Sequence, residues 1–515
     1  MKLNEPQLHS HPTQFIEPPQ SIFSSPDHLA TSDSRQAKSP PPECLESPSL
    51  WANTQFAAAN LNDPRRTKRL VQIVTDMARR PNSSLPALCS GDHAKLTALY
   101  RFVNNNAITP GMILSAPIDV TLARCREHPL ILCVQDTTEL DFSGRDATGL
   151  GEIGNGKGQG LLQHSALALS PEGKLLGLLD INTHLRIKTP KGETERQRQT
   201  RRTQTHIWTD AAGRNNERDF GATRIINLCD RGADRAECLF GFHELGQDYI
   251  IRAMYDRKAQ GEDNDTRLWE HMDAQPVSLE YTLEVPKRRK KKNASANPGK
   301  AKGKRKAKLQ VSYAPVEIPP PEKDTRHAHQ APLKIWAVYV REKNPPDKYE
   351  PVEWMLLSSQ EVSNPEQARQ TIGYYKNRWQ IEEWHRCLKQ GCALESKQLK
   401  SAEAIKRLAA IISVEAVRLL QLKQLSHEET QSRKPASEVM PEEMVAVVAK
   451  LAGQSKGKLS VKAFYEQVAK TGGWLRRSGP PGWLTLWRGW REIELMSAGY
   501  HLAMEKRHEK RGKDV

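Results

Sequence analysis

Residues 130–136 read LILCVQD, five apolar residues followed by a glutamine and an aspartate, with Pro129 just ahead. An unbroken apolar run of this length, bounded by a turn former, is the mark of a strand buried on both faces. Residues 224–230, RIINLCD, repeat the pattern and also end on an aspartate. Between them QHSALALSPEGKLLGLLDI (163–181) reads as two strands around a Pro-Glu-Gly turn. The expectation is a strand ending at Asp136, a hairpin, and a further strand ending at Asp230, so that two strands deliver carboxylates at their C-terminal ends. From about 249 to 360 more short strands follow, among them LKIWAVYV (333–340) and VEWMLLSS (352–359), joined by a Pro-rich turn.

A second stretch, SNPEQARQTIGYYKNRWQIEEWHRCLKQG (363–391), carries helix signals at both ends. Asn364 is placed as N-cap, Pro365 as first helical residue, Gln367 completes a capping box and Gly391 terminates. At ~100° per residue, one continuous helix puts Tyr375, Arg378, Glu382 and Lys389 on one stripe. Two cations beside a phenol suit a phosphate ester. The carboxylate among them is a candidate metal ligand. With Asp136 and Asp230 it makes an oxygen-only set, suited to magnesium or manganese. Two such ions serve phosphodiester displacement by activating the attacking oxygen and stabilising the leaving one.

The 515 residues exceed one hydrophobic core, so two or three domains are expected. No apolar run approaches the ~20 residues of a membrane span, and the start of the chain lacks a secretory h-region. A cytoplasmic, nucleoid-associated protein is the expectation. Eight scattered Cys without a CxxC pair read as reduced thiols. With 77 Lys plus Arg against 61 Asp plus Glu, the net charge of +16 favours a polyanionic partner. Residues 1–50 hold nine Pro and nine Ser and read as a disordered extension. LNDPRRTKRLVQIVTDMARRP (61–81) opens a helical segment with Asp63 as N-cap, Pro64 inside, Pro81 as stop, and Arg65, Arg66, Lys68 and Arg69 crowding its first turns. A second helical stretch runs to Tyr100 and Arg101. Residues 287–308 hold 12 basic residues and no acidic one, and read as a flexible basic loop rather than a strand. After Asn364 the chain turns helical to its end, with amphipathic spacing in AEAIKRLAAIISVEAVRLLQL and WLTLWRGWREIELMSAGYHLAM.

Tyr-x2-Arg-x3-Glu-x6-Lys, VQDTTEL around Asp136, CDRGAD around Asp230, NDPRRTKRL and WLTLWRGW together resemble the bacterial DDE transposases of the Tn-five group, IS-four family. The resemblance runs in order from about Leu50 to near the C-terminus. It implies an α/β (α+β) chain: a ribonuclease-H-like catalytic core with a β-strand insertion, between an N-terminal helical DNA-binding domain and a C-terminal helical dimerisation domain. The boundaries it suggests are 51–112, 113–426 with the insertion at about 249–360, and 427–515. Asp136, Asp230 and Glu382 map onto the metal-binding catalytic triad, holding two Mg2+ or Mn2+ ions. Tyr375, Arg378 and Lys389 map onto phosphate contacts, and Trp354 onto the tryptophan that stacks a flipped base. Arg65, Arg66, Arg69 and Arg101 fall in the end-binding module. The implied partners are double-stranded DNA, as terminal repeats and target, and a second copy of the chain in a homodimer on paired ends. The first 50 residues and the Lys-rich segment depart from the family pattern.

Other readings stand beside these. An Asp at a strand end is first of all turn chemistry, and Glu139, Asp141 and Asp146 are rival ligands if the strand register differs. Asp234 reads as a helix-start residue and His385 as packing or DNA-facing. Trp379 and Trp384 read as core or interface aromatics, and the Trp483, Trp487 and Trp490 stripe as core by default. A structure-selective nuclease on the same core, or a non-catalytic repressor or transposition inhibitor, are the alternative functions.

Overall fold

The computed structural model describes residues 46–511 apart from 81, 189, 191, 195–196, 198–202, 260–265, 289–299, 321–326, 428–432, 439, 441 and 477–480. Residues 1–45 of the proposed extension, the Pro81 stop and the middle of the Lys-rich segment lie outside the described residues. The protein is mixed α/β, with a central mixed sheet and helical regions at both ends.

Among the described residues the strands are β1 Leu130–Asp141, β2 Gly151–Ile153, β3 Gly158–Leu169, β4 Leu175–His184, β5 Arg224–Cys229, β6 Asp248–Arg252, β7 Leu279–Arg288, β8 Lys300–Ile318, β9 Leu333–Glu342 and β10 Glu353–Ser358. They form one sheet in the order β2-β3-β1-β5-β6-β10-β9-β8-β7, with β4 also on β3. The parallel trio β1, β5 and β6 sits at the centre, which is why its residues are apolar on both faces. The strands of the insertion extend this same sheet, since β10 pairs with β6 on one side and β9 on the other.

The first strand does not end at Asp136. β1 loses its β5 neighbour after Val134↔Leu228 but keeps its antiparallel ladder with β3 as far as Asp141↔Gly160. Asp136 therefore lies mid-strand, where β1 has a partner on one edge only. The Lys-rich segment also differs from expectation. Lys287 and Arg288 end β7, and residues 300–308 are the first half of β8, because Ala307 and Leu309 alternate inward while Lys304, Lys306 and Lys308 point to solvent. Arg305 turns inward on that strand and forms a buried ion pair with Glu342.

At the N-terminal end, Asp63 caps the helix Pro64–Arg79, accepting from the Arg65 N–H at 2.9 Å. Leu70, Ile73, Val74 and Met77 are its buried face, and they join an apolar core continuous with that of the sheet. Helix Ala402–His427 is not amphipathic as expected. It is buried on nearly every side, and even its Arg407 is 4% exposed. That guanidinium donates to the carbonyls of Ile108 (2.6 Å) and Val103 (3.0 Å) and to Asn106 Oδ1 (2.9 Å), so the helical N-terminal region is tied directly to the long helix. The final helix, Trp483–Arg511, buries Leu486 and Ile493, and Trp490 stacks on Tyr465; the side chains of Trp483 and Trp487 lie outside those described.

Candidate active site

The register of the central strands places Asp136 and Asp230 side by side. Each stands two residues beyond the last β1–β5 rung, Val134↔Leu228. Asp136 Oδ1 accepts the Thr137 N–H at 2.7 Å, and Asp230 Oδ1 accepts the Gly232 N–H at 2.8 Å. A Cβ at residue 232 would stand 2.9 Å from Asp230 Oδ1 and 3.3 Å from the Trp208 ring, so a larger residue would push on the carboxylate.

Glu382 enters from a helix that is interrupted rather than continuous. Pro365–Lys376 ends at Asn377, Trp379–Arg386 begins after it, and Cys387–Gly391 closes as a π-turn. The interruption has a local cause. Asn377 Nδ2 donates to the Pro171 carbonyl at 3.1 Å and the Gln380 amide donates to the Gly173 carbonyl, so the β3–β4 turn grips the chain on both sides of Arg378. The segment ends at Gly391 as expected, and the left-handed residue beyond it is Ala393 (φ 52°). The cap is as expected, with Asn364 Oδ1 accepting from Gln367 N, although Gln367 returns its bond to the N–H of Ser363.

Arg378 occupies the middle of the site. It is 4% exposed, donates to Glu382, and holds Nη1 3.7 Å from Asp136 Oδ2. Its guanidinium also lies over the Tyr375 ring, 5.9 Å from the centroid. Burial pushes the Glu382 carboxyl up to about 7 against the pull of Arg378. Burial, then Asp230, raises Asp136 well above the carboxylate range, with Glu382 adding to the effect. Desolvation pulls Arg378 down, but Tyr375, Glu382, Asp136 and Asp230 outweigh it and hold it above its ordinary value. Asp136, Asp230 and Glu382 thus crowd around the buried Arg378 guanidinium.

This donor set, all carboxylate oxygen and mutually repelling, fits hard divalent cations. Among the described residues, however, no three His, Cys, Asp or Glu side chains converge as a ready-made metal cage. Arg378 stands between Asp136 and Glu382 as the counter-ion, and it must give way before both carboxylates can reach one ion.

Trp354 and Tyr375 adjoin this cluster. Trp354, on β10, is partly exposed and meets Tyr375 edge-on at 6.3 Å; burial pushes the Tyr375 phenol up to about 12. Lys389 is not brought into the cluster. It sits in the π-turn with Nζ 3.6 Å from Glu395, whose carboxylate also accepts the Asp141 N–H. Arg65, Arg66, Arg69 and Arg101 lie on the N-terminal helices, with Arg65 91% exposed and paired to Asp63. Of the rival acids, Glu139 pairs with Arg186, Asp141 accepts the Ser143 N–H, and Asp146 is exposed. Asp234 is no helix-start residue. Fully buried, it accepts the N–H groups of Met254 and Tyr255 and pairs with Arg257, fixing the turn after β6. His385 and Trp384 are packed in the interior.

Arg252 went unnoticed in the sequence. It ends β6, faces Asp230, Tyr375 and Arg378, and burial pushes it down to about 10. One of its terminal nitrogens donates to the Glu353 carbonyl at 2.8 Å, while Nε has no hydrogen-bond partner among the described residues. The signal for it is there: YIIR is a third apolar strand ending on a charge, alongside those that lead to Asp136 and Asp230.

Residues 48–108 match a transposase DNA-binding domain, and residues 197–414 match a transposase DDE domain. Both support a DDE transposase. The second match contains Asp230 and Glu382, while Asp136 precedes it. The fold of the matched region is that of a ribonuclease-H-like DDE domain, a type that typically uses divalent metal ions. Among solved structures, a cryo-EM structure of a piggyBac transposase synaptic complex with hairpin DNA is similar at 10% identity, covering 84% of this chain and 82% of that one, with a TM-score of 0.36. That likeness is too loose to bear on mechanism. No helix among the described residues is long and apolar enough to cross a membrane.

Proposed function

We propose that this protein is a cut-and-paste DNA transposase of the Tn-five group, with Asp136, Asp230 and Glu382 as its catalytic acids. The observation that carries the reading is the in-register pair of aspartates facing a buried Glu382–Arg378 couple. Two divalent ions, Mg2+ or Mn2+, held by these acids would activate the attacking oxygen and stabilise the leaving one. The chain's own groups do the rest. Arg378, once released from the acids, and Arg252 offer planar cations to the scissile phosphate, and Tyr375 offers a hydroxyl. Lys389 reaches a more distant phosphate on leaving Glu395. The sequence of steps is hydrolysis, hairpin formation by the freed 3′ hydroxyl, reopening, and joining to target DNA, carried out by a homodimer on paired ends. Incubating the protein with candidate terminal repeats and Mg2+ tests this. Nicks, hairpins and joined products support it, while cleavage without joining favours the nuclease and binding without cleavage the repressor.

Hairpin formation requires a nucleotide to leave the stack, and stacking on an aromatic face is worth ~1 to 3 kcal/mol. Trp354, partly exposed against Tyr375, offers that face. Trp354→Ala is expected to nick at the normal rate and accumulate nicked ends. Hairpins formed at the wild-type rate by a stably folded mutant would remove the stacking role.

The basic regions divide by role. Replacing Arg65, Arg66 and Arg69 with Gln is expected to weaken binding to transposon ends more than to random DNA, because these residues lie in the DNA-binding match. Replacing the outward Lys304, Lys306 and Lys308 is expected to weaken all DNA binding and to lower the salt slope by about 0.9 for each phosphate no longer neutralised. Salt-dependent binding titrations on both DNA types distinguish the two. An end-specific loss from the lysine variant would make β8 a sequence reader.

A further inference from the structure

Asp136 faces Glu382, whereas its neighbour Thr137 faces the other side of the sheet, directly across from His164 of β3. His164 is fully buried, and its Nδ1 lies 2.8 Å from the Thr137 hydroxyl. Its Nε2 lies 3.0 Å from Gln135 Oε1. Which way each of these bonds points is settled at the far end of a chain of amides. Asn216 Nδ2 donates to the Leu245 carbonyl, so Asn216 Oδ1 accepts from Gln247 Nε2 at 2.6 Å. Gln247 Oε1 accepts from Asn227 Nδ2, which also donates to the Asp248 carbonyl. Asn227 Oδ1 then accepts from Gln135 Nε2 at 2.8 Å, which leaves Gln135 Oε1 as acceptor for His164. The imidazole proton is therefore on Nε2, and Nδ1 accepts the Thr137 hydroxyl. Backbone carbonyls, which can only accept, make the order irreversible. Burial, then His184 and Arg214, hold the imidazole down to about 3, so the ring stays a neutral acceptor.

We infer that His164 is a positioning residue for Asp136, acting through Thr137 from the opposite face of the sheet. Asp136 stands where β1 has already lost β5 and keeps only β3, so a roll of the strand would swing its carboxylate. The His164–Thr137 bond prevents that roll, and the Thr137 N–H then fixes Asp136 Oδ1. A carboxylate held this way binds a cation more tightly than a free one. The inference rests on reading Asp136 as a metal ligand.

The test measures Mn2+ binding by the full-length protein through the loss of the free-ion electron paramagnetic resonance signal, with metal-free thermal melting alongside. Thr137→Val is expected to weaken Mn2+ about ten- to a hundredfold, and Thr137→Ser to restore it. His164→Asn, whose side-chain oxygen can replace Nδ1, is expected to weaken it less than His164→Gln, which reaches Gln135 instead. Wild-type Mn2+ binding by Thr137→Val, with binding lost in Asp136→Ala, overturns the positioning role and leaves the site reading intact. A loss in Thr137→Val that Ser does not restore overturns it as well. Unchanged binding in Asp136→Ala overturns the site reading and this inference with it.

Discussion

Asp136→Asn is expected to abolish strand cleavage, by about 10³-fold or more, while the protein stays folded and still binds DNA ends. The substitution keeps the shape of the side chain and the acceptor for the Thr137 N–H but removes the charge that a divalent cation needs. A loss of that size corresponds to about 4 kcal/mol of transition-state stabilisation, within what bound metal ions supply to phosphoryl chemistry. Folding is expected to be unharmed because the lost charge is one that Asp230 and Glu382 repel. Arg378 retains its bond to Glu382. End binding in the absence of metal is expected to hold or tighten, since one anion fewer faces the phosphates. A nicking assay with a melting curve on the same preparation checks all three. Cleavage within tenfold of wild type would take Asp136 out of the triad.

The two aspartates were legible because apolar strands of the parallel type announce themselves as unbroken runs, and the residue after each run is the natural place for a functional group. What lay beyond the runs was harder to read. TTELD continues β1 because one edge of the strand stays paired with β3, and a strand with one bare edge carries no apolar signature. The interruption at Arg378 depends on bonds from Asn377 and Gln380 to a hairpin turn some 200 positions earlier, which no helical periodicity reports. Lys389 leaves the common stripe because the π-turn Cys387–Gly391 resets the angle per residue.

Lys300–Lys308 shows the opposite error. The density of charge suggested a solvated loop, yet the alternation in KRKAKL hides Ala307 and Leu309 inside and sets lysines outside, as a strand requires. Asp234 shows how a loop acid can be structural: its Oδ2 accepts two N–H groups of a turn twenty residues away, while Oδ1 pairs with Arg257. In both cases the deciding partner is distant in sequence. The candidate site was therefore readable as a list of residue types, while the counter-ion role of Arg378 and the presence of Arg252 emerged only when the sheet brought them together.

Arg378→Ala is expected to destabilise the metal-free protein by about 3 to 5 kcal/mol at pH 8, and by far less at pH 5. The guanidinium is the only cation within ion-pair distance of both Asp136 and Glu382 among the described residues, and all three side chains are largely shielded from water. Removing it strands two carboxylates. The direction of the pH effect follows from Glu382, whose pKa is raised from its ordinary 4.5 to about 7. Between those values the folded protein holds a proton that the unfolded chain has released, so stability falls as pH rises through the window. Even wild type should therefore lose up to ~3 kcal/mol from this group between pH 4.5 and 7 when metal is absent. Without Arg378 the carboxyl is pushed higher still, and the penalty extends beyond pH 8. At pH 5 the proton itself neutralises Glu382, and the arginine has less to compensate. Added Mn2+ should restore part of the loss at pH 8, since a cation can take the place of the guanidinium. Chemical denaturation of both proteins at pH 5 and pH 8, with and without Mn2+, reads out all four terms. A destabilisation of the same size at both pH values would show that Arg378 contributes packing rather than charge.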